Sequence, residues 1–207
     1  SWNGVAVLLR KDADELAADE AEVTQIGLPG QDEMGARLLT VAVADLSFTT
    51  IYAPNGKTLD HPDVQRKLAW YDALIAHLAR SHQADQQMIV CGDFNITPAA
   101  LDSWSEPAQG DVIFHTEAER SRMRALLDWG LRDVYRAAHP DEPGFTWWDY
   151  RGGSFHKGQG LRIDLLLATA GVAERSRGVH LERTWRKKID GMTPSDHAPV
   201  WVDIAPA

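Results

Sequence analysis

A single cysteine, Cys91, stands in the whole chain. No disulfide framework can therefore hold the fold together, and a lone thiol within the apolar run Met88–Cys91 reads as a buried free thiol of a protein kept in a reducing compartment, the cytoplasm. Long hydrophobic runs are also missing. No apolar stretch approaches the roughly 20 residues needed to cross a bilayer, and no signal-peptide pattern opens the chain, so a soluble protein is expected. Internal repeats and low-complexity tracts are absent as well. Positive charge is in deficit overall: the formal net charge of −9 argues against a protein that coats nucleic acid without specificity. With 207 residues, 44% of them hydrophobic, the sequence can bury one sizeable core, and a single domain spanning 1–207 is expected.

The net charge conceals an asymmetry. From Arg151 to Lys188 nine basic residues face three acidic ones, giving that span +6 and leaving −15 elsewhere. Such a span is ordinarily a solvated surface, but this one contains Asp164 within the apolar run Leu161 to Leu167.

Apolar periodicity organises the rest. Val5 to Leu9 reads as a strand, followed by an acidic stretch (Asp12, Asp14, Glu15, Asp19, Glu20, Glu22) and a turn at Leu28-Pro29-Gly30. Leu38 to Val43 and Phe48 to Tyr52 suit a hairpin across Ala44-Asp45-Leu46-Ser47. After the breaker cluster Pro54-Asn55-Gly56, the spacing Val64, Leu68, Tyr71, Leu74, Ile75, Leu78 has the helical period and predicts a helix from about Pro62 to Ser81. Met88 to Cys91 predicts a buried strand, and Glu117 to Trp129 a helix that Gly130 terminates. Leu161 to Ala168 and Val200 to Ile204 predict the last strands. Helices alternate with strands while hairpins also occur, which favours mixed sheets covered by helices.

Three polar signatures sit at the ends of apolar runs: Gly92-Asp93-Phe94-Asn95, Asp164, and Ser195-Asp196-His197. A carboxylate at the end of a buried strand is held rigidly at the lip of a sheet. Cleaving a phosphodiester requires an activated water, charge neutralisation on the nonbridging oxygens and help for the departing oxyanion. Hard divalent cations prefer oxygen ligands, so Asp93, Asn95 and Asp196 are candidate donors for magnesium or manganese, without the His/Cys set that zinc favours. His197 can act on a phosphate as an imidazolium donor or as a base, with Asp164 to orient it. Singly, each has an ordinary explanation: a capping histidine, an aspartate paired with a structural arginine such as Arg162. Their joint presence favours chemistry. Tyr52 and Asn55 could hydrogen-bond a phosphate, although Pro54 and Gly56 also account for a simple turn there. Four aromatics in Gly144-Phe145-Thr146-Trp147-Trp148-Asp149-Tyr150-Arg151 could stack on bases, with at least one of Phe145 and Trp148 expected in the core.

These residues carry a likeness. Trp2-Asn3-Gly4-Val5-Ala6, Gly92-Asp93-Phe94-Asn95-Ile96, Trp129-Gly130-Leu131, Trp147-Trp148-Asp149-Tyr150-Arg151, Gly160 to Leu167 and Pro194 to Val200 occur in the order that resembles the exonuclease III and AP endonuclease family of the endonuclease/exonuclease/phosphatase superfamily. The resemblance implies a four-layer α/β sandwich of two mixed β-sheets flanked by helices. It implies a magnesium- or manganese-dependent hydrolase that cuts double-stranded DNA 5′ to abasic sites in base excision repair, with 3′-to-5′ exonuclease and 3′-phosphatase action at 3′ ends; a monomer is the default for an enzyme that must clasp a bulky duplex.

By the same resemblance Asp93 orients or deprotonates the water and Asn95 holds Asp93 and the phosphate. Asp164 orients His197 toward the scissile phosphate, and Asp93, Asn95, Asp196 and His197 serve the metal. Tyr52 and Asn55 bind phosphate, while Trp147 and the loop ending at Arg162 line the pocket for the baseless sugar. Members of the family carry an early strand with an Asn and a second strand ending in a Gln-Glu pair; residues 1 to 50 match neither. An N-terminally truncated domain is therefore expected, with one sheet incomplete and, for a chain beginning at Ser1, weak metal affinity, an exposed sheet edge and little or no nuclease activity. Two other readings stand beside it: a noncatalytic nucleic-acid-binding regulator, and a phosphodiesterase or phosphatase of the superfamily acting on an inositol phosphate, sphingomyelin or RNA. A lipid phosphatase would need a membrane-facing apolar loop that the sequence lacks.

Overall fold

The computed structural model describes residues 3–9, 21–105, 112–188 and 190–206. Trp2 of the first motif and the acidic residues Asp12, Asp14, Glu15, Asp19 and Glu20 lie outside them. Mostly apolar runs, with the short polar β5, form a six-stranded mixed sheet in the order β1-β2-β3-β4-β6-β5: β1 (Ala21–Ile26), β2 (Leu38–Val43), β3 (Leu46–Tyr52), β4 (Met88–Asp93), β5 (Leu131–Asp133) and β6 (Asp164–Thr169). The hairpin expected between β2 and β3 turns at Ala44-Asp45, in register Val43 to Leu46, with Ala44 at φ 52°. β3 and β4 run parallel, as a crossover helix between them demands.

That helix is α1 (Asp63–Ser81). Its buried stripe contains Val64, Lys67, Trp70, Tyr71, Leu74 and Leu78, so the face turned inward includes a lysine where Leu68 was expected. It packs with α2 (Glu117–Trp129) over one side of the sheet, around Ile51, Val90, Phe94, Met123, Leu126 and Leu165. Thr116 and Glu119 close the start of α2 reciprocally, Glu119 N donating to Thr116 Oγ1 at 3.1 Å and Thr116 N to Glu119 Oε2 at 3.0 Å. Gly130, at φ 131°, ends it as expected.

The other side of the sheet carries Ile89, Cys91, Leu166 and Ala168, which pack against Val179, Val200, Val202 and Ile204 of a two-stranded antiparallel sheet, β7 (Ser176–Leu181) and β8 (Val200–Ile204). The short helices α3 (Val134–Ala138) and α5 (Ala170–Arg175) fill its margins, and α4 (Ser154–Lys157) lies in the loop before β6. The expected α/β sandwich is thus present, with one large mixed sheet and one small sheet. The outward residues of the small sheet, His180, Trp201 and Asp203, are exposed, so no helix layer covers that side among the described residues.

Two strand expectations are corrected. Val5 to Leu9 forms no ladder; Leu8 is 90% exposed, because no described strand lies beside it to take its backbone hydrogen bonds. The strand expected from Leu161 begins only at Asp164. Before that, Arg162 N donates to Asp102 O, and the backbone amides of Ile163 and Asp164 donate to Thr146 Oγ1, so a side chain replaces the ladder there. Beside the expected elements, β1, β5, β7, α3 and α5 complete the fold.

Candidate active site

Strand register brings the site together. Asp93 is the Cα partner of Tyr52 across the parallel β3–β4 pair and of Asp164 across the antiparallel β4–β6 pair, so the three stand abreast on neighbouring strands. Directly opposed residues project to the same face of a sheet. Gly92 allows the close approach: its φ is 128°, and a Cβ there would lie 2.0 Å from Ile51 O of β3.

After β4 the chain turns on Asn95, a buried residue at φ 50°, a left-handed conformation that Asn tolerates. Its backbone N donates to Asp93 Oδ1 at 2.9 Å, and its Nδ2 to Asp93 Oδ2 at 3.1 Å and Ala53 O at 3.0 Å. Its Oδ1 accepts from Asn55 Nδ2 at 3.2 Å. Asn95 therefore braces Asp93 on both oxygens, and the oxygen proposed for a metal is already engaged by Asn55.

Beneath it lies a feature that sequence reasoning missed. The Lys67 ammonium, fully buried, donates to Asn95 O at 2.5 Å, to Asn55 O at 3.3 Å and to the Glu119 carboxylate. It ties both asparagine loops to α2. Burial lowers the Lys67 pKa, with Glu119 acting against that. A lysine on the apolar stripe of α1 and the Thr116-x-x-Glu119 pattern were the available signals.

His197 closes the other side. Its Nδ1 lies 2.8 Å from Asp164 Oδ2, and Thr146 holds Asp164 through the latter's backbone amide at 3.0 Å. Burial pulls His197 down, but the hydrogen bond and charge of Asp164, joined by Asp93 and Asp196, raise it to about 9. An imidazolium has two N–H donors and no lone pair, which suits a phosphate oxygen and not a metal. Asp196 Oδ2 accepts from Trp147 Nε1 at 3.0 Å, fixing an indole that packs on Phe114, Leu161 and Ile163. Burial, then Asp164, raise Asp93 to about 7, against the pull of His197, the Asn95 amide and Lys67. Burial and Asp93 raise Tyr52, opposed by Arg37, whose guanidinium lies 5.0 Å from the Tyr52 ring centre.

Arg162 is corrected. It is 1% exposed, with Nε donating to Asp102 at 2.7 Å and its two terminal nitrogens to Asp133 at 3.0 and 2.7 Å. A guanidinium with both carboxylate partners inside the core cannot meet a DNA phosphate. Of the aromatic run, Trp148 belongs to the core and Tyr150 is exposed.

The centre thus has hard oxygen donors, an under-compensated acidic pair, and an imidazolium locked at its rim. Those oxygens fit a hard divalent cation in kind, and a cation would return Asp93 to carboxylate. They are short in number: among the described residues no three His, Cys, Asp or Glu side chains gather as a metal cage.

The sequence matches the Endonuclease/Exonuclease/phosphatase family over residues 1–197. The chain belongs to that family. Members of this nuclease family are in general dependent on divalent metals. The chain is 30% identical to exodeoxyribonuclease III of Haemophilus influenzae, over 91% of this chain and 74% of that protein. Among solved structures it resembles a 3′ phosphatase from Neisseria bound to a product DNA hairpin (TM-score 0.81, 30% identity, 89% of this chain and 72% of that one). It also resembles an AP endonuclease from Archaeoglobus fulgidus (TM-score 0.82, 29% identity, 88% and 70%). In this chain β3, β4 and β6 set Tyr52, Asp93 and Asp164 at one lip of the large sheet.

Proposed function

We propose that this family member is a divalent-metal-dependent hydrolase of DNA repair that cleaves double-stranded DNA 5′ to abasic sites, with 3′-to-5′ exonuclease and 3′-phosphatase action from the same centre. The observation that carries this reading is the row Tyr52, Asp93, Asp164 on adjacent strands, with His197 held 2.8 Å from Asp164. Asp93, braced by Asn95 and titrating near neutrality, orients the water and takes its proton. The His197 imidazolium donates to a nonbridging oxygen as charge develops, and Asp164 fixes its ring. Tyr52 and Asn55 bind the phosphate. Trp147, with Leu161 and Ile163 beneath it, supplies an apolar wall suited to a sugar without a base. Asp196 and Asp93 would hold magnesium or manganese, which neutralises phosphate charge and assists the leaving oxygen when bound.

The test is incision of a duplex bearing one abasic site. Cleavage in magnesium or manganese, abolished by chelator, is expected, and Asp93→Asn should lower the rate by about 10²–10⁴-fold. An uncut duplex at saturating metal would overturn the reading. The short ligand set favours one alternative, a noncatalytic nucleic-acid-binding regulator, which would bind duplex equally well with and without metal and cut neither way. Among the described residues no helix is long and apolar enough to cross a membrane. We infer a monomer working in the cytoplasm, where a lone buried thiol such as Cys91 stays reduced.

A further inference from the structure

Trp185 and Met192, at 62% and 66% exposed, are among the most exposed large apolar side chains of the described residues. Together with Pro194, Pro199 and Lys187 they line a recess of ≈ 500 Å³ whose remaining wall includes His197. A solvated tryptophan is unremarkable on a floppy loop, but this one is mounted on an anchored turn. Arg186, the next residue, is buried, donates to Ser195 O, and lies between the rings of Tyr150 and Phe155 at 5.2 and 5.0 Å. On the other side Arg183 lies 4.4 Å from the Phe155 ring centre and donates to Phe155 O at 2.7 Å. Glu182 caps the turn by accepting from Thr184 N at 3.0 Å. With Arg186 drawn inward, Trp185 and Lys187 on either side of it are left outward.

We propose that this recess is a nucleobase subsite: Trp185 stacks on the base of the nucleotide next to the phosphate that His197 faces, Met192 covers its other edge, and Lys187 contacts the adjoining phosphate. The inference rests on the DNA reading of the His197 site and adds to it a contact with an intact base. Three features carry it. The recess is continuous with His197, its ≈ 500 Å³ leaves room for a base with its sugar, and a flat indole beside lysines matches the combination of base faces and phosphates along a nucleic-acid strand. An anionic lipid surface would also accept tryptophan, methionine and lysine, but it would favour a projecting knob over a concave wall shared with the catalytic histidine.

The experiment is binding of a fluorescein-labelled duplex, followed by anisotropy in chelator so that nothing is cut. One duplex carries a single tetrahydrofuran abasic analogue between normal nucleotides; a second also has base-free spacers at the nucleotides on either side. Trp185→Ala and Trp185→Leu should weaken binding of the first by about 10-fold, within the range of one base–aromatic stack. Trp185→Phe should restore most of it, and all four proteins should bind the second duplex alike. Because Trp185 is exposed, melting temperatures should match, and the Leu variant retains apolar bulk if the Ala variant does not fold. Wild-type affinity in Trp185→Ala, or a weakening that persists without flanking bases, would overturn the subsite alone. So would Trp185-dependent sedimentation with phosphatidylserine vesicles without any effect on DNA. Failure of the wild-type chain to bind either duplex would overturn the DNA reading with it.

Discussion

Asp93 and His197 hold opposite charges in the same acidic centre, and their titrations have testable signs. Asp93 is raised to about 7 in the fold, so its favourable contribution is present below the ordinary carboxylate pKa and disappears as pH rises through 7. His197 is raised to about 9; its contribution is complete below the usual imidazole range and is lost as pH rises through 9. In metal-free buffer the melting temperature should therefore fall between about pH 4 and pH 9 from these two groups. Asp93→Asn should raise it at pH 8 while slowing incision; a variant less stable than wild type at that pH would contradict the account. Asp164→Asn should return His197 toward its ordinary range, read by NMR titration of the imidazole. Lys67 gives a different prediction. Lys67→Ala leaves the Glu119 carboxylate buried without its cation, and should cost about 3–5 kcal/mol in urea unfolding. Little of this was visible in the sequence. Asp93, Asn95, Asp164, Asp196 and His197 stood out because polar residues at the ends of apolar runs are conspicuous, whereas Lys67 hid inside a helical stripe. Arg162 misled because basic residues beside a phosphate motif look available until their carboxylate partners, Asp102 and Asp133, are seen from distant parts of the chain.

At the level of elements, the β3–β4 contact is the most constrained. Gly92→Ala places a methyl carbon against Ile51 O at a backbone angle that alanine resists. Destabilisation by about 1–3 kcal/mol or more is expected, with loss of incision beyond what stability explains, since Tyr52 and Asp93 pair across that contact. Equilibrium unfolding with single-turnover cleavage separates the two. Long periodic elements were legible: α2 ends where Gly130 requires, and α1 ends at Ser81 as its spacing predicts, although Lys67 and not Leu68 joins its buried stripe. Short or polar ones were not. β5 has three residues, and β7 reads Ser-Arg-Gly-Val-His-Leu, whose single fully buried side chain, Val179, leaves no alternation to find. Val5 to Leu9 had the right composition for a strand, but composition cannot supply a neighbour.

For the molecule as a whole, charge is laid out unevenly. The basic span from Arg151 to Lys188 includes the outer turn beside His197, while the remainder is strongly acidic. Duplex affinity should fall steeply with salt, and Lys187→Ala with Lys188→Ala should reduce the slope of log K against log salt by about one for each phosphate no longer neutralised. An unchanged slope would place the DNA elsewhere. Cys91, buried with its thiol pushed up to about 12, should resist alkylation until the protein unfolds. The layered α/β class was readable from alternating helices and strands. The exposed outer face of the small sheet was not, because exposure there depends on what packs against β7 and β8.

The pairing of Asp93 with both Tyr52 and Asp164 has a consequence for how this chain can vary. Successive side chains of a strand point to opposite faces, so deleting or inserting one residue between Asp164 and the rest of β6 would turn that carboxylate through the sheet and away from His197. Length changes should therefore be forbidden inside β3, β4 and β6 and in the turns that carry Asn55, Asn95 and Asp196-His197, and tolerated in connections without site residues, a pattern that a scan of single-residue deletions would expose.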